Sequence, residues 1–598
     1  MKFSIFNFQF SIIAACVVLL SACNRSNSVS GPIRINQVGF APDQEMTATI
    51  VLPDAAAEVD AVIIVNENND TVWTGVPAVT MNNPVSGKTC QIVDFSALDS
   101  VGEYTLIIPS LSEAAHFIIK THPYHELTRK ALRAFYYQRA SMPIEEPYAE
   151  GFARPAGHPD DHVLVHASAA TAERPEGTVI SSPGGWYDAG DYNKYIVNSG
   201  YTMGVWLMAY EMNKAYFDTL NLNIPESVTC NPSPVTPRVP DMLSEAMYNI
   251  RWMMTMQDLD GGVYHKLTEP NFEGFIRPDQ CKKPRYVVLK TTAAALDFAA
   301  TMAIAARVYA PFDPDFCAQA KTAAERAYAW ALEHPAVYYD QPAMNEQFKP
   351  EITTGAYDDF DVHDEFYWAA IELAILTGEK AYKVDATNHA KAIAEANGQY
   401  TPSVWGNVTE LGYLDWLMHS DNQALNKINM EALLEYLQPF LDEAQTISVY
   451  RGPYGNREEE FFWGCNSEGC CWRGIECLYA YRWTGDKKYL VNAERCLNYI
   501  LGQNSTGYCF VTGFGSNPTS HPHHRLSYSH PKGTHPGFLA GGPNRMRQDA
   551  ETDGVKYPKD VPADESYLDE QPSYASNEVT INWNVTLFAL TAGIDALE

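Results

Sequence analysis

The stretch AATMAIAARVYAPFDPDFCAQAKTAAERAYAWAL, residues 299–332, decides how the bulk of this chain folds. Its first half is an apolar helical run, its middle a short turn bearing Asp, and its second half an amphipathic helix. Two further stretches repeat the pattern: EFYWAAIELAILTGEKAYKVDATNHAKAIAEA at 365–396 and GIECLYAYRWTGDKKYLVNAERCLNYILG at 474–502. A helical hairpin recurring in this way implies pairs that stack or close into a ring. The pattern predicts a mainly α chain, an α-toroid over 122–598, entered through the helical stretch YHELTRKALRAFYYQRA at 124–140. Long irregular segments divide the pairs, and such loops are where function concentrates.

Residues 32–121 read differently. MTATIVL, AVIIVN, DTVWTG, TCQIVDF, GEYTLIIP and AHFIIK are short β-branched or aromatic runs divided by Pro, Asn, Asp and Gly. About seven such strands in about ninety residues predict a small immunoglobulin-like sandwich. A carbohydrate-binding role would want a row of exposed aromatics, and only Trp73 and Tyr104 are scattered candidates, so a structural role is expected.

The first 23 residues are not fold. Lys2 precedes an apolar run ending SIIAACVVLLSAC at 11–23, which reads as an export signal rather than a membrane span. Leu20-Ser21-Ala22-Cys23 resembles a bacterial lipobox, in which Cys23 would carry the lipid, and NRSNSVSG at 24–31 would be a flexible tether. The expectation is an outer-membrane lipoprotein of a Gram-negative bacterium, held to the membrane through Cys23 and facing periplasm or cell surface.

Charge excludes more than it identifies. The chain has 42 basic and 73 acidic residues, a net −31, which opposes a nucleic-acid partner. With Cys16 and Cys23 in the leader, ten of the 12 cysteines remain, too sparse for a disulfide scaffold. Cys230 and Cys281 are a conceivable pair. Cys465, Cys470, Cys471 and Cys477 lack metal-ligand spacing and read as small buried apolar residues.

Three loop motifs carry chemistry-bearing residues. GGWYDAGDY at 184–192 sets Asp188 and Asp191 three apart around Ala189-Gly190. A calcium loop would need acids at alternating positions through about twelve residues, and they are missing. FVTGFGSNPTSHPHHRLSYSHPKGTHP at 510–536 holds five histidines without a zinc-protease motif or Cys partner. Its glycines and prolines describe a rigid loop able to aim His523 and Arg525 at a polar ligand. In YLDEQPSYASNEVTINWN at 567–584, Glu578 taken alone would read as a helix-capping carboxylate.

Read together with RINQVGFAPDQ, VPDMLSEA, MQDLDGGVYHKL, DEFYWAAIELAILTG and YILGQNSTGYCFVTGFG, these motifs resemble glycoside hydrolase family 9. Within it, the likeness is to the inverting β-glucanases that carry an N-terminal immunoglobulin-like domain. The resemblance covers nearly the whole mature chain. It implies an (α/α)6 toroid behind the sandwich, Asp191 as the general base that activates water, Asp188 sharing in orienting that water, and Glu578 as the general acid. His523 and Arg525 would contact sugar hydroxyls, with Tyr574, Trp583 and Asp569 completing the substrate-binding set. Inversion requires carboxyl groups roughly 6.5–9.5 Å apart. Desolvation by Trp583 and Tyr574 would help Glu578 keep its proton. The chain departs from the family at Asn582-Trp583, where Asp-Tyr is common, and at Val585, where a small residue is common. Some relatives bind structural calcium or zinc. No complete ligand set is legible here, and no cofactor or metal is expected.

The function expected is hydrolysis of β-1,4-glucosidic bonds in cellulose-like, mixed-linkage or xyloglucan chains by a monomeric endo-β-1,4-glucanase. The rivals are an exo-acting glucosidase or glucosaminidase, a non-catalytic glycan-binding lipoprotein and a structural surface protein. An exo enzyme would have a loop blocking one end of the cleft, with 141–183 and 226–240 the places to look.

Overall fold

The computed structural model describes residues 31–54, 58–225, 237–397 and 402–597. Cys23, most of the tether and Cys230 lie outside the described residues, so neither the lipid anchor nor the Cys230–Cys281 pairing is addressed by it. The nine described cysteines are free thiols, and Cys465, Cys470, Cys471 and Cys477 are buried.

The N-terminal domain is a sandwich of two four-stranded antiparallel sheets. Its strands are β1 (Ile33–Arg34), β2 (Thr47–Val51), β3 (Val62–Asn66), β4 (Thr71–Gly75), β5 (Val79–Asn82), β6 (Thr89–Asp94), β7 (Gly102–Ile108) and β8 (Glu113–Ile119). They are ordered β1-β2-β6-β5 and β4-β3-β7-β8. Alternation along β7 turns Tyr104, Leu106 and Ile108 inward onto Phe40, Phe95 and Phe117. Both aromatic candidates for sugar binding are absorbed here. Tyr104 stacks on Phe117 with ring centroids 5.5 Å apart, and Trp73 meets Phe95 edge-on at 6.5 Å.

Among the described residues, twelve long helices form the larger domain: α1 (His125–Gln138), α2 (Ile196–Met212), α3 (Asp241–Thr255), α4 (Thr292–Val308), α5 (Pro314–Glu333), α6 (His363–Thr377), α7 (Lys380–Asn397), α8 (Thr409–His419), α9 (Gln423–Thr446), α10 (Trp472–Thr484), α11 (Lys487–Ile500) and α12 (Ile581–Asp595). They alternate in character. The even-numbered helices are buried around most of their circumference and form the inner ring; in α4 only Arg307 is not buried. The odd-numbered helices are amphipathic and lie outside. Each inner helix packs on an outer partner, and the last, α12, closes the ring against α1 and α2. Between α8 and α10 the contact includes a hydrogen bond from Trp472 Nε1 to Glu410 at 2.7 Å. This is the (α/α)6 toroid.

The turns are written into the sequence. Gly378 and Gly485 end α6 and α10 in the left-handed conformation (φ 73° and 70°), which glycine adopts at little cost. Asp313 caps α5 by accepting from the Phe316 amide at 3.0 Å, with Pro314 at its first position. These inner-to-outer turns are short and lie at one end of the barrel. Long outer-to-inner connections collect at the other end, where each leads into the N-terminus of an inner helix.

Those long loops are better organised than their sequence suggests. The segment 141–183, expected to be irregular, contributes β9 (Val163–Val165) and β10 (Val179–Ile180) to a five-stranded sheet. That sheet, ordered β10-β9-β13-β12-β11, also contains β11 (Lys194–Tyr195), β12 (Lys266–Thr268) and β13 (Arg285–Val287). Strands this short carry no periodicity, which is why composition reads them as loop. The two domains meet through specific bonds: Arg495 pairs with Glu45 at 2.7 Å, Asn36 Nδ2 donates to Asn498 Oδ1 at 2.8 Å, and Thr49 Oγ1 donates to the Val449 carbonyl at 2.6 Å.

Candidate active site

The two aspartates sit on the turn that feeds β11 and α2. Asp188 and Asp191 are both buried, at 2% and 5% exposure, on the wall of an open cleft of about 280 Å³. Asp188 Oδ1 accepts from Asn198 Nδ2 at 2.7 Å and Oδ2 from Tyr357 Oη at 2.6 Å. Asp191 Oδ2 accepts from Tyr195 Oη at 3.1 Å and from the Asn193 side-chain amide. Its Oδ1 receives no hydrogen bond from the described residues. One aspartate is thus held at both oxygens, and the other keeps one oxygen for a ligand.

Glu578 reaches this turn from the far end of the chain. A backbone bridge joins it to His523, and the Asp188 backbone carbonyl accepts the Ile581 amide at 2.8 Å, so the segments 184–192, 521–525 and 577–581 lock together at the start of α12. Gly190 makes this possible. A Cβ there would stand 2.1 Å from the His523 carbonyl oxygen, and its amide donates to Glu578 Oε1 at 3.3 Å.

Burial sets the protonation of all three acids. Desolvation and then the Asp191 charge push Glu578 up to about 8. Desolvation and then Asp191 likewise raise Asp188 to about 8. Asp191 is also raised by burial, but the Arg525 guanidinium pulls it back down. Asp191 is therefore the acid of the three whose ionised form a cation favours most strongly, since its first counterweight to burial is Arg525.

The structure sorts the remaining expected residues. Trp583 lines the cleft with the three acids. His523 lies beside them: its Nδ1–H donates to the Gln571 carbonyl at 2.8 Å, and burial lowers its pKa to about 4, leaving Nε2 a neutral acceptor. Tyr574 packs its ring edge-on to His523 and Trp463, and its hydroxyl donates to the Gln548 carbonyl at 3.2 Å. Arg525 is committed to the backbone, with Nη1 on the Gly190 carbonyl at 2.8 Å and Nε on that of Glu273 at 2.9 Å. It braces the acid turn and supplies charge, and these bonds do not point at sugar. Asp569 lies under the histidine loop. Its carboxylate accepts the amides of Ser520 (2.9 Å) and His521 (2.8 Å) and the Asn577 side chain (3.3 Å), so it staples the histidine loop.

Several site residues escape sequence reasoning. Tyr195, Asn193 and Asn198 lie within GGWYDAGDYNKYIVNSG, yet only the fold shows that they serve the acids. Tyr357, Trp405, Trp463, Phe272 and Glu468 come to the same cleft from other loops with no shared spacing. Tyr357 has φ 51°, a strained value for a bulky residue. Lys266 holds its loop in place through Nζ on the Gly355 carbonyl at 2.6 Å.

Three clusters outside the three acids contain ligating atoms. His158, Glu269 and Cys281 gather behind the acid turn, and Glu211, Asp415 and His419 gather at the opposite barrel end. Arg307 already neutralises the second, reaching Glu211 at 2.9 Å and Asp415 at 2.6 Å. Asp297, Asp359, Asp364 and Glu365 form a third group, all raised by burial and most by mutual repulsion; Glu365 shares hydrogen bonds with Asp359 and Asp364, whereas both oxygens of Asp297 find no hydrogen-bond partner among the described residues. Protons or a cation must balance that charge.

Known proteins resemble this chain along most of its length. The sequence profile of glycosyl hydrolase family 9 matches residues 124–591, and that of the cellulase N-terminal ig-like domain matches residues 28–113. The chain is 45% identical over 592 residues to a xyloglucan-specific endo-beta-1,4-glucanase, BoGH9A, of Bacteroides ovatus, covering 97% of this chain and 96% of that one. A solved Bacteroides ovatus GH9 structure superposes with TM-score 0.87 at 44% identity, covering 95% of this chain and 99% of that one. The structure of AaCel9A with cellobiose-like isofagomine superposes with TM-score 0.80 at 30% identity, covering 94% and 99%.

Proposed function

The chain belongs to glycosyl hydrolase family 9, and from that premise we propose that it cleaves internal β-1,4-glucosidic bonds of a β-glucan, xyloglucan first, with inversion. One observation carries the reading: Asp188, Asp191 and Glu578 meet on one aromatic-walled open cleft, and the last is held neutral near pH 7. Asp191, with Oδ1 open and Arg525 favouring its anion, takes the proton of the attacking water. Asp188, held by Tyr357 and Asn198, orients that water. Glu578 donates its proton to the departing glycosidic oxygen. His523 Nε2 accepts a sugar hydroxyl, and Trp405, Trp463 and Phe272 offer faces for sugar rings. The preference for xyloglucan rests on the specificity of the Bacteroides ovatus relative.

A product-size time course on soluble β-glucans tests endo action. Mid-length products at early times are expected, and release of only monomer or dimer would overturn it. Proton NMR of the first products should show the α-anomer; an initial β-anomer would overturn inversion. The same reading has the enzyme exported and anchored by acylation of Cys23, on the strength of Leu20–Cys23. Labelling with a fatty acid, abolished by Cys23→Ser, checks this. No described helix is long and apolar enough to cross a membrane.

A further inference from the structure

Three acids account for the proposed chemistry, yet two more, Asp358 and Glu468, line the same cleft. Glu468 lies on a single π-helical turn, Asn466–Cys471, that leads into α10. Such turns are rare and concentrate at functional sites. The indole N–H of Trp583 donates to this carboxyl, and Asn582 Nδ2 donates to its Oε1 at 3.3 Å.

The partners are themselves fixed. A Cβ on Gly464 would lie 2.6 Å from the Trp583 Nε1, and one on Gly541 would lie 2.9 Å from its ring, so two glycine backbones press on the indole. Asn582 Oδ1 accepts from Thr580 Oγ1 at 2.6 Å and from Asn198 Nδ2 at 3.4 Å, and Asn198 in turn holds Asp188. Glu468 thus sits at the end of a polar chain that begins at the acid turn.

Its chemistry suits an uncharged, hydroxyl-rich ligand. Among the described residues no charged group figures in the shift of Glu468, and burial pushes its pKa up to about 8. A carboxylic acid in that state offers both a donor and an acceptor. A carboxyl serving only the fold would be closed off by its partners, whereas this one remains part of the cleft wall.

We propose that Glu468 is a substrate-binding residue: braced by Trp583 and Asn582, it hydrogen-bonds a hydroxyl of the glucan unit seated beside the scissile bond and helps select the sugar accepted there. The proposal rests on the glycoside hydrolase reading. It also gives the Asn582-Trp583 departure a role, since the tryptophan supplies the N–H that orients the acid.

The test is calorimetric binding of a cello-oligosaccharide to the full chain carrying Glu578→Gln, which halts turnover. Adding Glu468→Ala should weaken Kd by about 10-fold or more. Adding Glu468→Gln, which keeps a donor and an acceptor, should weaken it by less than about threefold. Glu468→Met, of similar length but without polar atoms, should behave like alanine and guards against loss of binding through a collapsed cavity. In the otherwise native chain, Glu468→Ala should raise KM with the unfolding temperature unchanged. Unaltered Kd in Glu468→Ala, or equal loss in Ala and Gln, overturns the proposal. An active wild type with an indifferent Glu468 overturns only this proposal; a wild type that hydrolyses no β-glucan overturns the hydrolase reading with it.

Discussion

Replacing Gly190 by alanine probes the contact on which the site depends. An ideal Cβ at 190 would stand 2.1 Å from the His523 carbonyl oxygen and 3.1 Å from Glu578 Oε1. The first is about 0.9 Å inside the 3.0 Å that such contacts respect. The obstacle is backbone, so it cannot rotate away. Either the turn bearing Asp188 and Asp191 or the segment bearing His523 must retreat by about 1 Å, and a displacement of that size at reacting groups costs about 100-fold in rate. The strain itself costs about 1–3 kcal/mol, which in a domain this large moves Tm by only a few degrees, about 2–4 °C or less. Reducing-sugar release from a soluble β-glucan, with Tm from calorimetry on the same sample, should therefore show Gly190→Ala folded but about 100-fold slower. A variant within about threefold of wild type with unchanged Tm would refute the reasoning.

Other expectations follow from the same geometry. The alkaline limb of kcat/KM should lie near pH 8, where Glu578 loses its proton. Asp188 itself ionises near pH 8 and its charge then opposes that of Glu578, so Asp188→Asn should let Glu578 ionise more readily in that range and move the limb to lower pH; a fixed or rising limb in the pH–rate profile would contradict the assignment. Tyr357→Phe deletes the 2.6 Å bond to Asp188 Oδ2 and should cost about 1.5–3 kcal/mol of transition-state stabilisation, about 10- to 150-fold in kcat, with KM little changed. Asp569→Ala should loosen the histidine loop, lowering Tm and speeding proteolysis near residues 520–521, with the largest kinetic effect on KM. Deleting the sandwich strips partners from Arg495, Asn498 and Val449 and should lower the Tm of the barrel, read by calorimetry against the full chain.

Local chemistry made much of the architecture legible. The inner helices read as buried because apolar residues spread over most of their circumference instead of forming one stripe, and the amphipathic period of their partners assigned those to the outside. Gly378, Gly485 and Asp313-Pro314 mark where hairpins turn, since each meets a backbone demand that few other residues meet. The sandwich was readable for the same kind of reason, through period-two strands between Pro, Asn and Gly. At the site, Asp188, Asp191 and Glu578 were identifiable through the resemblance of their motifs to glycoside hydrolase family 9, not through local pattern alone.

What sequence could not decide is whatever depends on segments distant in the chain arriving at one place. Asp569 and Glu468 illustrate both directions. Each is an acid among aromatics, and neither its neighbours nor its spacing says whether it faces a loop or a cleft. Folding spends the first on the amides of Ser520 and His521 and leaves the second beside Trp583 on the cleft wall. The proton on Glu578 is likewise a product of the tertiary structure. The sequence by itself determined a helical toroid behind a β-sandwich and named three acids. Only the packed structure buried those acids together, gave Asp191 a guanidinium and deprived Glu578 of one solvating partner after another, because desolvation and charge act through space rather than along the chain.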